Sequence, residues 1–364
     1  MKRFLVLSLA VVPLLAACSA AATPAPSASS GATPAPSASS GATAAPSASP
    51  APSVTPSAPP TKLTVGLGYI PSVQFAPFYL AQQAGYYAAA GLDVTFENKI
   101  DPDLITLVGQ GSVDIGIADG TSVIPAVSQG IPVRYVATIY AKFPNIVFAK
   151  ASSGIHSAAD LRGKKIGTPG KYGSSWIMLQ ALLGSAGLTT SDVNVQLYPD
   201  YGQAAALAQG AIDAATGFVN NEPVQLGLAG VPTNVLTVDN VVPLPGNGLI
   251  AGVATIAAKH DALARFIAAT LRAMTEITAD PQQGLAASAA IVPDLGKDPT
   301  TQLAILTATI GTWSDAYTAA HGLGAIDPTA WQKTVAFMAS MAGSPISGPA
   351  PAVSQLVDAS LLAP

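Results

Sequence analysis

From Lys62 onward, short runs in which apolar and polar positions alternate are followed by runs in which apolar positions recur every three or four residues. The first pattern fits a strand and the second an amphipathic helix. "KLTVGLGYI" predicts a strand, and "FAPFYLAQQAGYYAAAG" predicts one helix closed by Gly91. "LDVTFEN" is a strand again. "DPDLITLVGQG" opens on Asp-Pro and stops at Gly111, as a helix does. "SVDIGIA" predicts a buried strand, "TSVIPAVSQG" a short helix, and "PVRYVATIY" and "NIVFAK" two further strands. The order is βαβαβ, which places this half in the α/β class with a largely parallel sheet.

The alternation then restarts. "DLRGKKIGTPG" runs from strand to glycine-rich loop, and "SSWIMLQALLGSAG" is a helix ended by Gly187. "VNVQLYP", "YGQAAALAQG", "AIDAATGF" and "NEPVQLGLAG" continue as strand, helix, strand and helix. One motif occurs in both halves: Gln110-Gly111-Ser-Val-Asp114 and Gln209-Gly210-Ala-Ile-Asp213 each follow an apolar helix and precede a strand. Two similar α/β lobes are the expectation. After Gly252 the pattern is helical. "HDALARFIAATLRAMTEIT" puts Leu263, Phe266, Ile267, Leu271 and Met274 on one face. "DPTTQLAILTATIGTW" and "DPTAWQKTVAFMASMAG" begin with Asp as N-cap and Pro at the first helical position. Trp313 and Trp331 read as packing anchors on these helices.

Composition adds a compartment. Lys2 and Arg3 precede an apolar run, Phe4 to Ala17, too short to span a bilayer. It ends in Leu15-Ala16-Ala17-Cys18, which resembles the bacterial lipobox. Residues 1–17 are therefore expected to be a lipoprotein signal peptide, and Cys18, the chain's single cysteine, the lipidated residue. The rest of the chain then has no disulfide and no thiolate chemistry. Residues 18–60 carry no charge and no aromatic, and "ATPAPSASSG" recurs from Ala22 and Ala32. Such a stretch cannot offset its chain entropy and should be a disordered tether. Of the 16 basic residues, Lys2 and Arg3 lie in the leader; the remaining 14 face 20 acidic ones, a net charge of −6. The absence of a basic cluster argues against nucleic acid as a partner, and none is expected.

The strand, "FYLAQQAGYYAAAGLDVTF", "LVGQGSVDIGIADGTSVIPAVSQGIPV" and "DLRGKKIGTPG", in that order, resemble the periplasmic substrate-binding proteins of ABC transporters. More narrowly they are similar to the branch of sulfonate and thiamine-pyrimidine binders, the SsuA/THI5-like group. The resemblance implies a type II, two-lobed periplasmic-binding-protein fold, each lobe a mixed sheet flanked by helices. It implies lobe one from 62–148 plus 252–364, lobe two from 149–251, and a ligand closed between them by a hinge. It also implies a monomer held at the extracytoplasmic face of the cell membrane by its lipid, with permease and ATPase subunits as partners.

In such a fold, ligand meets strand C-termini and helix N-termini. Of 22 aromatic residues, six (Tyr69, Phe75, Phe78, Tyr79, Tyr86, Tyr87) fall within 19 positions. Tyr69, Gln74 and Phe75 precede the helix and are cleft candidates, with Phe78 beside them; at least two of the helix aromatics should be core. "ADGTS" contributes Asp119, Thr121 and Ser122, whose alternative role is N-capping. "PGKYGSSW" offers Tyr172, Gly173, Ser174, Ser175 and Trp176 at a helix start with free backbone N–H groups. It departs from a phosphate-binding loop, because Tyr follows Lys171. "GFVNNEP" supplies Asn220, Asn221 and Glu222, the acid standing where the thiamine-pyrimidine branch contacts its ligand. Tyr140 and Asn145 complete the set.

These are aromatic, amide, hydroxyl and carboxylate groups, with Arg134, Lys142 and Lys171 the cations nearest in sequence. A sulfonate would call for hydroxyls with an arginine. A flat neutral heterocycle calls for aromatic faces and mixed edge donors. "GYIPSVQFAPFY" with "PGKYGSSW" looks most like the riboflavin-binding members of the group, riboflavin being cargo and not a cofactor; no cofactor and no metal are expected. A formylaminopyrimidine-type thiamine precursor is the alternative, and an alkanesulfonate a further one. Related pyrimidine-forming enzymes use a cysteine-rich motif and a sacrificial histidine. This chain has no cysteine beyond Cys18, and His156, His260 and His321 fall in predicted loops or helix ends, so no enzyme activity is expected.

Overall fold

The computed structural model describes residues 59–98, 103–239, 241–341 and 343–362. The expected leader, Cys18 and all but the last two tether residues lie outside them. The strands are β1 (Thr61–Leu67), β2 (Leu92–Asn98), β3 (Ile115–Asp119), β4 (Val133–Thr138), β5 (Asn145–Lys150), β6 (Lys165–Thr168), β7 (Asn194–Leu197), β8 (Ala214–Phe218), β9 (Thr233–Thr237) and β10 (Asn247–Gly252). They form two five-stranded sheets, ordered β2-β1-β3-β10-β4 and β7-β6-β8-β5-β9.

The two orders are equivalent. In each sheet three strands pair in parallel, as βα repeats require. The fourth, β10 or β5, is antiparallel to both neighbours. It is the strand the chain lays down after arriving from the other sheet. Both sheets are mixed as a result, and the expectation of a largely parallel sheet is corrected. The lobe boundaries move as well. Residues 148/149 and 251/252 cut through β5 and β10, whereas the chain crosses between Thr138 and Asn145 and again between Thr237 and Asn247. The physical reason is burial: "NIVFA" is buried at every position and hydrogen-bonds along both edges, so it cannot be split.

The repeated motif has one job in both sheets. The Asp114 carboxylate accepts from Thr64 N–H at 2.9 Å, and Asp114 N–H donates to Thr64 carbonyl at 3.0 Å. Asp213 does the same with Lys165, at 2.8 and 2.9 Å. Each aspartate pins the start of a strand to its parallel neighbour. Gly111 and Gly210, both left-handed (φ 74° and 78°), supply the turn before it.

Helices cover the sheets: α1 (Ala76–Gln83), α2 (Tyr86–Ala89), α3 (Asp103–Gly109), α4 (Gly120–Ser128), α5 (Gly173–Ser185), α6 (Gln203–Gln209), α7 (Glu222–Leu228), α8 (Val253–Ala279), α9 (Pro281–Ile291), α10 (Pro299–Ile310), α11 (Ala316–His321), α12 (Pro328–Ser340) and α13 (Val353–Leu356). The single helix expected over 75–91 is broken, because Gly85 takes φ 73° between α1 and α2. Among the described residues no helix is long and apolar enough to cross a membrane.

The aromatic cluster divides as its positions dictate. Tyr87 stacks on Phe266 of α8 at 4.9 Å between ring centres, its hydroxyl bonded to Thr270 Oγ1 at 2.8 Å. Phe78 also lies against Phe266, at 6.2 Å between ring centres, and Tyr79 packs edge-on to Phe96. These three are core. Tyr86 remains at the surface side, with the Arg272 guanidinium 3.8 Å above its ring. Leu263, Phe266, Ile267 and Met274 are buried along one face of α8, with Leu271 half-buried at its border. Asp298 and Asp327 cap α10 and α12 by accepting from Thr301 and Thr329 N–H.

Candidate functional site

A cavity lies between the sheets, where strands end and helices begin. Including the open solvent at its mouth, the space it bounds is about 1160 Å³. Its first wall holds Gly68 and Tyr69 after β1, Gln74 and Phe75 in the turn before α1, and Phe78 on α1. Ile117–Asp119 of β3, Ile139 and Tyr140 after β4, and Asn247 of β10 complete it. Its second wall holds Pro169 and Gly170 after β6, Tyr172–Ser175 entering α5, and Tyr201 and Gln203 entering α6. Gly217 and Phe218 of β8 are followed by Asn221 and Glu222 entering α7.

Twelve of the seventeen residues expected from sequence border this cavity: Tyr69, Gln74, Phe75, Phe78, Asp119, Tyr140, Tyr172, Gly173, Ser174, Ser175, Asn221 and Glu222. Thr121, Ser122, Asn145, Trp176 and Asn220 do not line it, and four of these five support residues that do. Thr121 and Ser122 hydrogen-bond the Asp119 carboxylate, which caps α4. Asn145 donates to the hydroxyls of Ser174 and Ser175 at 3.1 and 3.0 Å. Asn220, fully buried, donates across from the second wall to Gln74 Oε1 at 3.0 Å and to Thr309 of α10 at 2.8 Å. Trp176 packs partly buried against the second lobe's core, with Lys171 5.9 Å over its ring.

Tyr69 and Tyr201 meet edge to face from opposite walls, 5.1 Å apart with planes at 85°. Burial first, then the nearness of Glu222 and Tyr201, pushes the Tyr69 hydroxyl up to about 12, which keeps it a neutral donor. Tyr201 is the one non-glycine residue with positive φ among the described residues, at 60°. That conformation is costly and marks a position over-determined by its surroundings. Tyr172, 48% exposed, stands at the mouth. Gly170 lets its ring fold close, because a Cβ there would lie 2.1 Å from Tyr172 Cε1.

Two acids face the cavity. Burial pushes the Asp119 carboxyl up, opposed by hydrogen bonds from Thr121, Ser122 and Ser174. Burial pushes Glu222 up to about 7, opposed by bonds from Phe218 N–H (2.8 Å), its own backbone and Asn221. A carboxyl raised in the folded state contributes stability that is complete below its unfolded value near 4.5 and is lost as pH rises through about 7. Between pH 5 and pH 8 the protein should lose up to about 3 kcal/mol through this group. The variant Glu222→Gln should lose none of that share. Denaturant unfolding of both proteins at the two pH values checks it; parallel losses would show Glu222 ionised throughout.

Tyr201, Gln203, Gly217, Phe218 and Asn247 also line the cavity and were not expected. "YGQ" reads simply as a helix start, and "PGNGLIAG" as a glycine-rich crossover. The strained tyrosine has no signal in sequence.

The fold is that of the type II periplasmic solute-binding proteins. The alkanesulfonate-binding protein SsuA from Xanthomonas axonopodis pv. citri, solved with MOPS bound, superposes with a TM-score of 0.63 at 19% identity, over 83% of this chain and 99% of that one. The chain belongs to the NMT1/THI5-like family, whose model matches residues 72–284. Riboflavin-binding protein RibY of Chloroflexus aurantiacus is 36% identical over 282 residues, 76% of this chain and 80% of that protein. The 4-amino-5-hydroxymethyl-2-methylpyrimidine phosphate synthase of Legionella pneumophila is 28% identical over 186 residues, 50% of this chain and 58% of that enzyme.

Proposed function

We propose that this protein captures riboflavin, or a flavin-like flat heterocycle, in the cleft and hands it to an ABC importer. The observation that carries this is the lining: seven aromatic residues and no lysine, arginine or histidine. Arg134, Lys142 and Lys171, the cations nearest in sequence, do not line the cavity. An anionic sulfonate would meet two buried carboxyls there and no compensating charge, which disfavours it. A neutral ring system gains from stacking on Tyr69, Phe75, Tyr172 and Tyr201. The likeness to RibY supports the flavin.

The accompanying proposals are an extracytoplasmic location, anchorage through lipid on Cys18, and permease and ATPase partners. A binding role is favoured over catalysis because the RibY match spans more of the chain, at higher identity, than the synthase match. His156, His260 and His321 are exposed and stand outside the cavity. An aminopyrimidine is the second reading, favoured specifically by the paired acids Asp119 and Glu222, which suit a ligand rich in N–H donors.

Titrating the purified protein into dilute riboflavin tests the proposal. Flavin fluorescence should be quenched, with micromolar or tighter affinity, about −8 kcal/mol. Tyr172→Ala should weaken binding roughly 3- to 10-fold, the worth of one stacked face. Absence of both quenching and calorimetric heat, beside clear binding of an aminopyrimidine, would transfer the assignment to the second reading.

A further inference from the structure

Gln203 borders the cavity at the start of α6 but is only 1% exposed. Its Nε2 donates to the Thr216 carbonyl on β8 at 3.2 Å. The Thr216 hydroxyl donates to Thr168 Oγ1 at 3.1 Å, and Thr168 donates to the Gly170 carbonyl at 3.2 Å. This network assigns the amide's orientation. Turned over, Oε1 would oppose the Thr216 carbonyl, two acceptors with no proton between them. The Gln203 Oε1 is therefore left shut from solvent and without a donor. On the opposite wall Asn247 begins β10, and its Oδ1 is in the same condition. Asp119, its partner in the strand register, has its carboxylate filled by Thr121 and Ser122.

Buried acceptors without partners are rare and destabilising, and both of these belong to residues that line the cavity. A ligand that closes the cleft can supply the missing protons once these two side chains turn toward it. We propose that Gln203 is a specificity-determining residue whose Oε1 accepts a ring N–H of the ligand, while Asn247 accepts a second donor from the first wall. The inference rests on the flavin reading above and deepens it. A flavin ring carries one N–H, in its imide edge, and its polyol chain supplies hydroxyl donors further along. The cleft thus selects its ligand by protons donated at two places, a demand that stacking alone does not make.

The test pairs riboflavin with 3-methylriboflavin, in which a methyl group replaces the imide proton. The wild-type protein should bind the methylated flavin about 10- to 100-fold more weakly, the value of one buried acceptor left unmet. Gln203→Met, similar in length but without the acceptor, should bind the two flavins within about threefold of each other. Equal binding of both flavins by the wild type, or a full preference retained in Gln203→Met, overturns the assignment. The wild-type comparison can overturn it even where the variant does not fold. If neither flavin binds, the flavin reading and this assignment fall together. If both bind equally, the flavin reading stands and Gln203 loses its role.

Discussion

Gly246→Ala should cost the protein about 3 kcal/mol, the upper end for overpacking, and disturb the pairing of its two crossovers. A Cβ at this position would stand 2.3 Å from the Tyr140 carbonyl oxygen and 3.1 Å from that of Lys142. Both are backbone atoms, so no side-chain rotation can make room. The segments concerned are the two that join the lobes, and they are bonded side by side: Asn247 carbonyl accepts from Ile139 N–H at 3.0 Å and from Tyr140 N–H at 2.7 Å. The Gly246 carbonyl accepts from the Tyr135 hydroxyl at 3.2 Å. Moving either strand aside breaks several of these bonds at about 1 kcal/mol each. The loss should appear in the urea midpoint, and ligand affinity should fall with it, because Tyr140 and Asn247 both line the cleft. An unchanged midpoint would show that the crossovers can separate freely.

How much of this was legible in the sequence follows from the range of each interaction. Strands and helices were legible because alternation and three-to-four spacing are local. The exchanged strands were not, since β5 and β10 choose their partners among residues tens of positions away. The same division runs through the site. Loops after strand ends were identified from the general rule that ligands meet such ends. What failed was helical phase. Ser174 and Ser175 open α5 on its cleft side, and Trp176, a further 100° around the axis, enters the second core instead. In "GFVNNEP" three polar residues in a row looked equivalent, but Asn221 and Glu222 reach the cavity while Asn220 crosses to Gln74 and Thr309 and is buried there. Tyr201 and Asn247 became visible only once the two walls were set opposite each other.

Trp331→Ala should lower stability by about 3–5 kcal/mol, the cost of emptying a buried aromatic site. Trp331 is 2% exposed and sits between α12 and the first sheet, its ring edge-on to Tyr135 of β4 at 4.9 Å and 64°. The fit is tight: even a Cβ on Gly120 would come within 3.0 Å of its ring. Truncation leaves a void that neither sheet nor helix can collapse into without moving α4. In a thermal scan the midpoint should fall by roughly 10 °C for a chain of this size. Riboflavin affinity, measured well below that midpoint, should stay within about twofold, because Trp331 has no place in the ligand cavity. Quenching should likewise survive loss of Trp331 and follow Tyr172 at the mouth. A stable Trp331→Ala protein with weakened affinity would reverse this reading. It would mean that packing at Trp331 is transmitted through the Tyr135 hydroxyl to Gly246, so that the C-terminal helices set the geometry of the crossover.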